Sequence, residues 1–217
     1  MTANMRSLSP AFHSFFLATE NLTAIHLGFP ATKPLDLSLE QIFHRIHWKK
    51  LRTLSLQGWR RLRSDELIGL VRRHRRQLRN LRLISIYLDA GGRWRDVLAV
   101  FHDELEHLER IDLREIDYAR RADITHTNGV NPHDNANPVA DPAPAPQSDP
   151  AVLTEDLLSF SQRPSVQSPL PDLPLEKLKT LSADDLGDDG FRVKRGQRAL
   201  WEAWVLSGPR YIARRQF

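Results

Sequence analysis

A motif of the form Leu-x-x-Leu-x-Leu recurs four times in the first half of the chain, and no other feature restricts the fold as much. The copies are Leu22-Thr23-Ala24-Ile25-His26-Leu27, Leu51-Arg52-Thr53-Leu54-Ser55-Leu56, Leu78-Arg79-Asn80-Leu81-Arg82-Leu83 and Leu108-Glu109-Arg110-Ile111-Asp112-Leu113. Their first leucines are 29, 27 and 30 residues apart, at or just past the upper end of the range of about 20–29 residues typical of leucine-rich repeats. A short strand exposes alternate residues, so the flanking leucines turn inward to fill the space between a strand layer and a helix layer. Helices are then expected between the strands. Ser38-Leu39-Glu40-Gln41 has capping-box spacing and leads into Ile42, Phe43, Ile46 and Trp48. Ser64-Asp65-Glu66 opens a second helix with Leu67, Ile68, Leu70 and Val71, and the Gly91-Gly92 turn introduces a third from Trp94 to Leu105. Pro10 to Leu17, with Phe12, Phe15 and Phe16, supplies a helix ahead of the first strand. None of these units buries its apolar face alone. The expected fold class is therefore α/β, a short leucine-rich-repeat solenoid of four strand-helix units with parallel strands on the concave side.

The character of the chain changes near Arg120. Up to and including that residue the net charge is +6, and beyond it −2. Ten of the 14 prolines lie between Arg121 and Pro174, with few large apolar residues to offset the entropy of ordering. The division that follows is a repeat arc over 8–120, a Pro-rich and mostly disordered linker over 121–173, and a capping segment over 174–217. Val152 to Phe160 is an apolar island in the linker, readable as a transient helix or as a docking peptide. In the last segment, Leu200, Trp201, Trp204 and Val205 share one face of a helix near 196–206 that Ser207-Gly208-Pro209 stops. The expectation is that it folds back as a cap on the last repeat.

Several kinds of chemistry are excluded or unsupported. With no cysteine, the chain has no disulfide, thiolate metal site or cysteine nucleophile. It has no Gly-x-Ser-x-Gly elbow, phosphate-cradling glycine loop or dinucleotide fingerprint. His44 and His47 are three apart and His102 and His107 five apart, neither at the spacing of a zinc helix, and Asp184-Asp185 with Asp188-Asp189 lack the closing glutamate of a calcium loop. No enzymatic activity, cofactor or metal is expected. The chain lacks an apolar run of membrane-spanning length and a signal-peptide core at its start, which points to a cytoplasmic or nuclear monomer without a membrane partner.

Binding is the remaining class. The concave positions of the four strands include His26, Thr53, Ser55, Gln57, Asn80, Arg82, Arg110, Asp112 and Arg114, and a parallel stack sets His26, Ser55, Arg82 and Asp112 in one column about 4.8 Å apart. That row is a candidate site for another protein, with a plain solvated sheet face as the alternative. From Arg45 to Arg82 there are 13 Lys and Arg against Asp65 and Glu66, +11 over 38 residues, centred on Arg72, Arg73, His74, Arg75 and Arg76. This patch reads as an import signal, a surface for an acidic partner, or an ordinary solvated helix face. Nucleic acid is not expected there because few exposed aromatics are available for stacking.

The stretch from Leu51 to Trp59, with Leu67 to His74, Leu78 to Leu83 and the Gly91-Gly92-Arg93-Trp94 turn, resembles the C-terminal leucine-rich region of filamentous-fungal F-box-type proteins. Asp184 to Gly190, followed by Trp201 to Pro209, is similar to the closing segment of those proteins. The resemblance spans roughly 20–120 and 184–210 and implies a ligand-binding arc that, in full-length relatives, hangs from an F-box docked on a ubiquitin-ligase adaptor. No F-box-like segment of about 40 residues precedes the repeats in this sequence, so the resemblance does not extend to adaptor docking. The asparagine or cysteine usual nine residues into each repeat is replaced by Pro30, Trp59, Ile86 and Ile116, so convex-side packing must do the work of an asparagine ladder. A protein-recognition module is the leading reading, with a polyanion surface over 45–82 and a truncated, inactive paralogue as alternatives.

Overall fold

In the computed structural model, residues 8–30, 37–119, 174–194 and 196–208 are described. The linker over 121–173, its island at Val152 to Phe160, and Pro209 lie outside them. Each motif copy forms a strand: β1 (Ala24–Gly28), β2 (Thr53–Leu62), β3 (Asn80–Leu88) and β4 (Arg110–Arg114), in the order β1-β2-β3-β4. A two-residue strand, β5 (Asp117–Tyr118), also pairs with β3, completing a parallel sheet of five strands. The fold is thus α/β with a parallel sheet.

The strands pair with the motif copies aligned. Ile25 lies opposite Leu54, Leu54 opposite Leu81 and Leu81 opposite Ile111, while Leu27, Leu56, Leu83 and Leu113 form a second apolar row. Leu54, Leu56, Leu81, Leu83 and Leu113 are fully buried. A slip of one residue would turn these rows to the opposite face and bring polar residues into the core, which is why the register is well specified.

Helices α1 (Ser9–Ala18), α2 (Leu39–Phe43), α3 (Ser64–Arg73) and α4 (Trp94–Glu104) lie between or ahead of the strands. α1 packs on α2, α2 on α3 and α3 on α4. Ser38 caps α2 as the capping box requires: its Oγ accepts from Gln41 N–H, and Gln41 Oε1 accepts from Ser38 N–H. The helix is shorter than the run to Trp48 suggested. His44 and Arg45 take left-handed backbone (φ 46° and 58°), ending α2 after about one turn. The chain can then drop Trp48 into the core against Phe16, Phe43 and the buried ring of His74.

A bend recurs after the last three motif copies. Gly58, Ser85 and Glu115 all have left-handed backbone (φ 82°, 50° and 52°), and each precedes one of the positions where asparagine is missing. Trp59, Ile86 and Ile116 are buried. At Gly58 a side chain is excluded as well, since a Cβ there would collide with the Phe29 carbonyl oxygen.

The chain after 174 contributes α5 (Leu175–Thr180), a 3-10 turn at Ala183–Leu186, and α6 (Gln197–Leu206). α6 packs against β4 and α4, with Trp201 and Trp204 buried. Their indole N–H groups donate to Leu186 O and Leu181 O, both at 3.0 Å. Asp188, on the acidic turn, accepts from Arg95 N–H (2.8 Å) at the start of α4 and from the Tyr118 hydroxyl (2.6 Å), so a carboxylate from far along the chain satisfies an orphan helix donor. Burial, then the bond to Asp188, raises the Tyr118 phenol. Among the described residues no helix is long and apolar enough to cross a membrane.

Candidate binding face

Alternate strand residues point away from the helices, and the register places them in rows. Ala24, Thr53, Asn80 and Arg110 form the first, His26, Ser55, Arg82 and Asp112 the second, and Gly28, Gln57, Ile84 and Arg114 the third. The structure therefore brings His26, Thr53, Ser55, Gln57, Asn80, Arg82, Arg110, Asp112 and Arg114 onto one face, with neighbouring members of a row about 4.8 Å apart.

Their accessibility differs from the expected open face. Ser55 is 0% exposed, Arg82 1% and Gln57 9%, and Ile84 is buried too. The edge strands keep theirs open: Ala24, His26 and Arg110 are exposed, and Asp112 and Arg114 half-buried. The central strands β2 and β3 have neighbours on both sides, and adjacent side chains shield whatever short polar groups they carry. The accessible part of the face is thus its first row and its two margins.

Electrostatics tie the β3 and β4 side together. Arg82 Nε lies 3.2 Å from Asp112 Oδ2, and Arg114 grips the same carboxylate through Nε (3.1 Å) and Nη2 (3.0 Å). A buried guanidinium of this kind requires a carboxylate beside it, because an uncompensated charge in the interior is strongly unfavourable. In the first row Asn80 Nδ2 donates to Thr53 Oγ1 (3.1 Å). Among the described residues Ser55 Oγ and Gln57 Oε1 are buried without a hydrogen-bond partner, which leaves unused polar capacity in the middle of the face. Partial burial lowers the His26 imidazole, favouring its neutral form.

The basic run at the end of α3 and just beyond it is mostly paired. Arg72 reaches Glu104 at 2.6 Å, with Arg75 at 3.8 Å from the same residue, and Arg73 meets Glu40 at 3.0 Å. Arg76 follows as an exposed side chain. His74, at the centre of the run, is a core residue rather than part of a solvated face. Its Nδ1–H donates to Leu70 O (2.9 Å), its Nε2 accepts from Trp48 N–H (3.2 Å), and burial pulls it down to about 4.

The paired histidines also have packing partners. The His44 ring lies 4.6 Å from that of His13, and His102 stacks on Trp204 at 4.2 Å. Among the described residues no group of three or more His, Asp or Glu converges as a metal site would require.

One buried ionisable group near the face has no signal in the motif. Glu202 of α6 accepts from Leu113 N–H at 2.7 Å, satisfying a backbone donor at the outer edge of β4, and burial pushes it up to about 7. Its place on the polar side of a short helix gives no sequence signal for a contact with a strand so distant in the chain. No family model, no curated protein and no solved structure matches the chain.

Proposed function

We propose that this protein is a non-enzymatic protein-recognition module, a short leucine-rich-repeat arc that binds another protein on the sheet face away from its helices. The observation that carries the reading is the register, which aligns four motif copies and stacks their polar residues in rows across four parallel strands. Such a surface suits a macromolecular partner, because its polar groups are spread along the sheet instead of converging on a small volume. The partner would meet the first row and the margins: His26, Thr53 and Asn80, then Arg110 and Arg114. Arg82 and Asp112 fix the middle of the face electrostatically. Under this reading the resemblance to fungal F-box-type proteins assigns the face to substrate recognition for a ubiquitin ligase, without assigning adaptor docking to this chain.

The polyanion reading is less well supported, since Arg72, Arg73 and Arg75 are engaged with Glu104 and Glu40. The test is affinity capture from a fungal lysate at low and high salt, with an Asn80→Ala/Arg110→Glu double variant. Arg82 is a poor probe, because reversing a buried, paired charge would cost about 3–5 kcal/mol of stability. Discrete proteins held at high salt and lost from the variant would support the proposal. Capture of nucleic acid and abundant acidic proteins alone, washed off by salt and indifferent to the variant, would refute it in favour of the basic patch.

A further inference from the structure

The protein matches most of its arginines to carboxylates: Arg72 and Arg75 to Glu104, Arg73 to Glu40, Arg79 to Glu109 and Arg95 to Asp184. Four cations without such a partner lie together at the end of the sheet where the strands begin. Lys49, Lys50 and Arg52 stand just ahead of β2, and Arg76 stands ahead of β3. All four are exposed, and among the described residues none has a carboxylate within ion-pair distance. Backbone and side-chain contacts hold the two approaches side by side. Arg52 O accepts from both Arg79 N–H (2.8 Å) and Asn80 N–H (2.9 Å), and Gln77 Nε2 lies 3.3 Å from His47 Nε2. Cations gathered in this way repel one another, and a bound anion relieves that repulsion.

The two lysines also border a hollow of about 430 Å³ between the end of α1 and the approaches to β1 and β2. Its floor is the buried rings of Phe16 and Trp48, 5.4 Å apart, and Leu17 and Ile46 stand beside them. The Trp48 indole N–H donates to Phe16 O (3.4 Å), so this floor is held in place without a ligand. Leu17 is 58% exposed, although it adjoins the core. Glu20 lines the same hollow and is exposed. The site thus offers apolar surface for one side chain and ammonium groups for carboxylates, while Glu20 repels an anion from its own side.

The extent of the positive surface selects the class of anion. It is confined to the second and third repeats, whose strands lie about 4.8 Å apart. The equivalent positions carry Glu20 in the first repeat and Glu106 and Glu109 in the fourth. A nucleic acid duplex, with one charge per about 1.7 Å of its axis, would run on over these acids. Phe16 and Trp48 are buried, so neither serves as a platform for a stacked base. A short acidic peptide ends before the flanking acids, and a leucine-sized residue within it fills the hollow.

We propose that the hollow beside Lys49 and Lys50 is a binding site for a short acidic segment of a partner protein. A large apolar residue of that segment occupies the hollow, and its neighbouring carboxylates meet Lys49, Lys50, Arg52 and Arg76. The site shares no residue with the sheet face and does not depend on the function assigned to that face.

The probe is a labelled synthetic peptide, Asp-Glu-Leu-Glu-Asp, which presents carboxylates on both sides of the leucine and so serves either chain direction. It is titrated with the full chain and followed by fluorescence anisotropy. Two control peptides separate the contributions: Asn-Gln-Leu-Gln-Asn lacks the charge and Asp-Glu-Ser-Glu-Asp lacks the apolar residue. Saturable binding is expected, about tenfold weaker for the serine peptide and about fivefold or more weaker for a Lys49→Gln/Lys50→Gln variant. Lys177→Gln/Arg192→Gln, which removes the same charge from exposed positions elsewhere, should leave binding unchanged. Glu20→Gln should tighten it about twofold or more by removing the repulsion at the hollow. The proposal is overturned if the acidic peptide does not bind at about 1 mM, if either control peptide binds equally, or if the two double variants behave alike. Should Lys49→Gln/Lys50→Gln lower the melting temperature, Glu20→Gln decides alone, because tighter binding does not arise from lost folding; unchanged or weaker binding then overturns the site. An oligothymidylate that binds more tightly than the peptide and displaces it would assign the cations to nucleic acid and overturn the proposed ligand.

Discussion

Replacing Glu202 by glutamine should stabilise the protein at pH 8 and leave it nearly unchanged at pH 5. Burial pushes this carboxyl up to about 7 from an ordinary 4.5, against the opposing influence of the Leu113 N–H and Arg198. An acid whose folded value is raised binds more protons in the folded state than in the unfolded one. Its favourable contribution is therefore complete below pH 4.5 and is lost as pH rises through about 7. At about 1.4 kcal/mol per pH unit, that interval amounts to ~3 kcal/mol. Glutamine keeps a carbonyl oxygen for Leu113 N–H and carries no charge, so at pH 5 the two proteins present almost the same group to β4. At pH 8 only the wild type holds a buried carboxylate there. The variant should then melt about 5–10 °C higher, measured by circular dichroism and checked by urea titration at pH 5, 6, 7 and 8. A difference between variant and wild type that is the same at every pH, or a variant less stable at pH 8, would show that Glu202 is not buried against β4 as described.

His74 should impose the opposite pH dependence. Its folded value is pulled down to about 4 from 6.5, so its contribution is present above pH 6.5 and is lost as pH falls towards 4, again by ~3 kcal/mol. His74→Phe should cost about 2 kcal/mol at pH 7, through the orphaned Trp48 N–H and Leu70 carbonyl, and much less near pH 4. A constant deficit across that window in thermal melts would refute the assignment. With both groups intact the two slopes oppose between about 4.5 and 6.5, and the wild-type stability curve should be flatter there than that of either variant. Gly58→Ala should cost about 2 kcal/mol or more, since it combines a left-handed backbone with a Cβ directed at the Phe29 carbonyl. A urea midpoint within error of the wild type would show that the bend within β2 relaxes freely.

The strand pairing was legible because its determinants are local and periodic. Ile25, Leu54, Leu81 and Ile111 hold the same place in four copies of a short pattern, and only one register buries them all. Helix α6 was equally legible, since two tryptophans on one apolar face require a surface to cover. The features that could not be read depend on neighbours distant in sequence. Nothing near Arg82 indicates that it will be buried and joined to Asp112 from the next repeat. Nothing in an arginine-rich run suggests that its histidine alone turns inward to accept the Trp48 N–H. Accessibility on the sheet face followed position in the sheet: Ser55 and Arg82 occupy flanked strands, while His26 and Arg110 occupy edges.

The missing asparagines show how the turns beyond the motif are held. An asparagine at such a position would stabilise the turn through hydrogen bonds from its side chain. Here Trp59, Ile86 and Ile116 are apolar, and the residue before each adopts left-handed backbone, which bends the strand so that the next side chain enters the core. Trp59 illustrates the substitution: its ring is buried and its indole N–H donates to Leu37 O at 3.2 Å, tying the turn to the loop that precedes α2. Glycine supplies the bend at no steric cost in β2, whereas Ser85 and Glu115 adopt it against their intrinsic preference and bond to each other across the turn, Ser85 Oγ to Glu115 Oε2 at 2.6 Å. Burial of the following apolar residue therefore has to exceed the backbone strain at two of the three bends. The turns of this protein are held by packing, and their geometry depends on the core beneath them more than on polar contacts of their own.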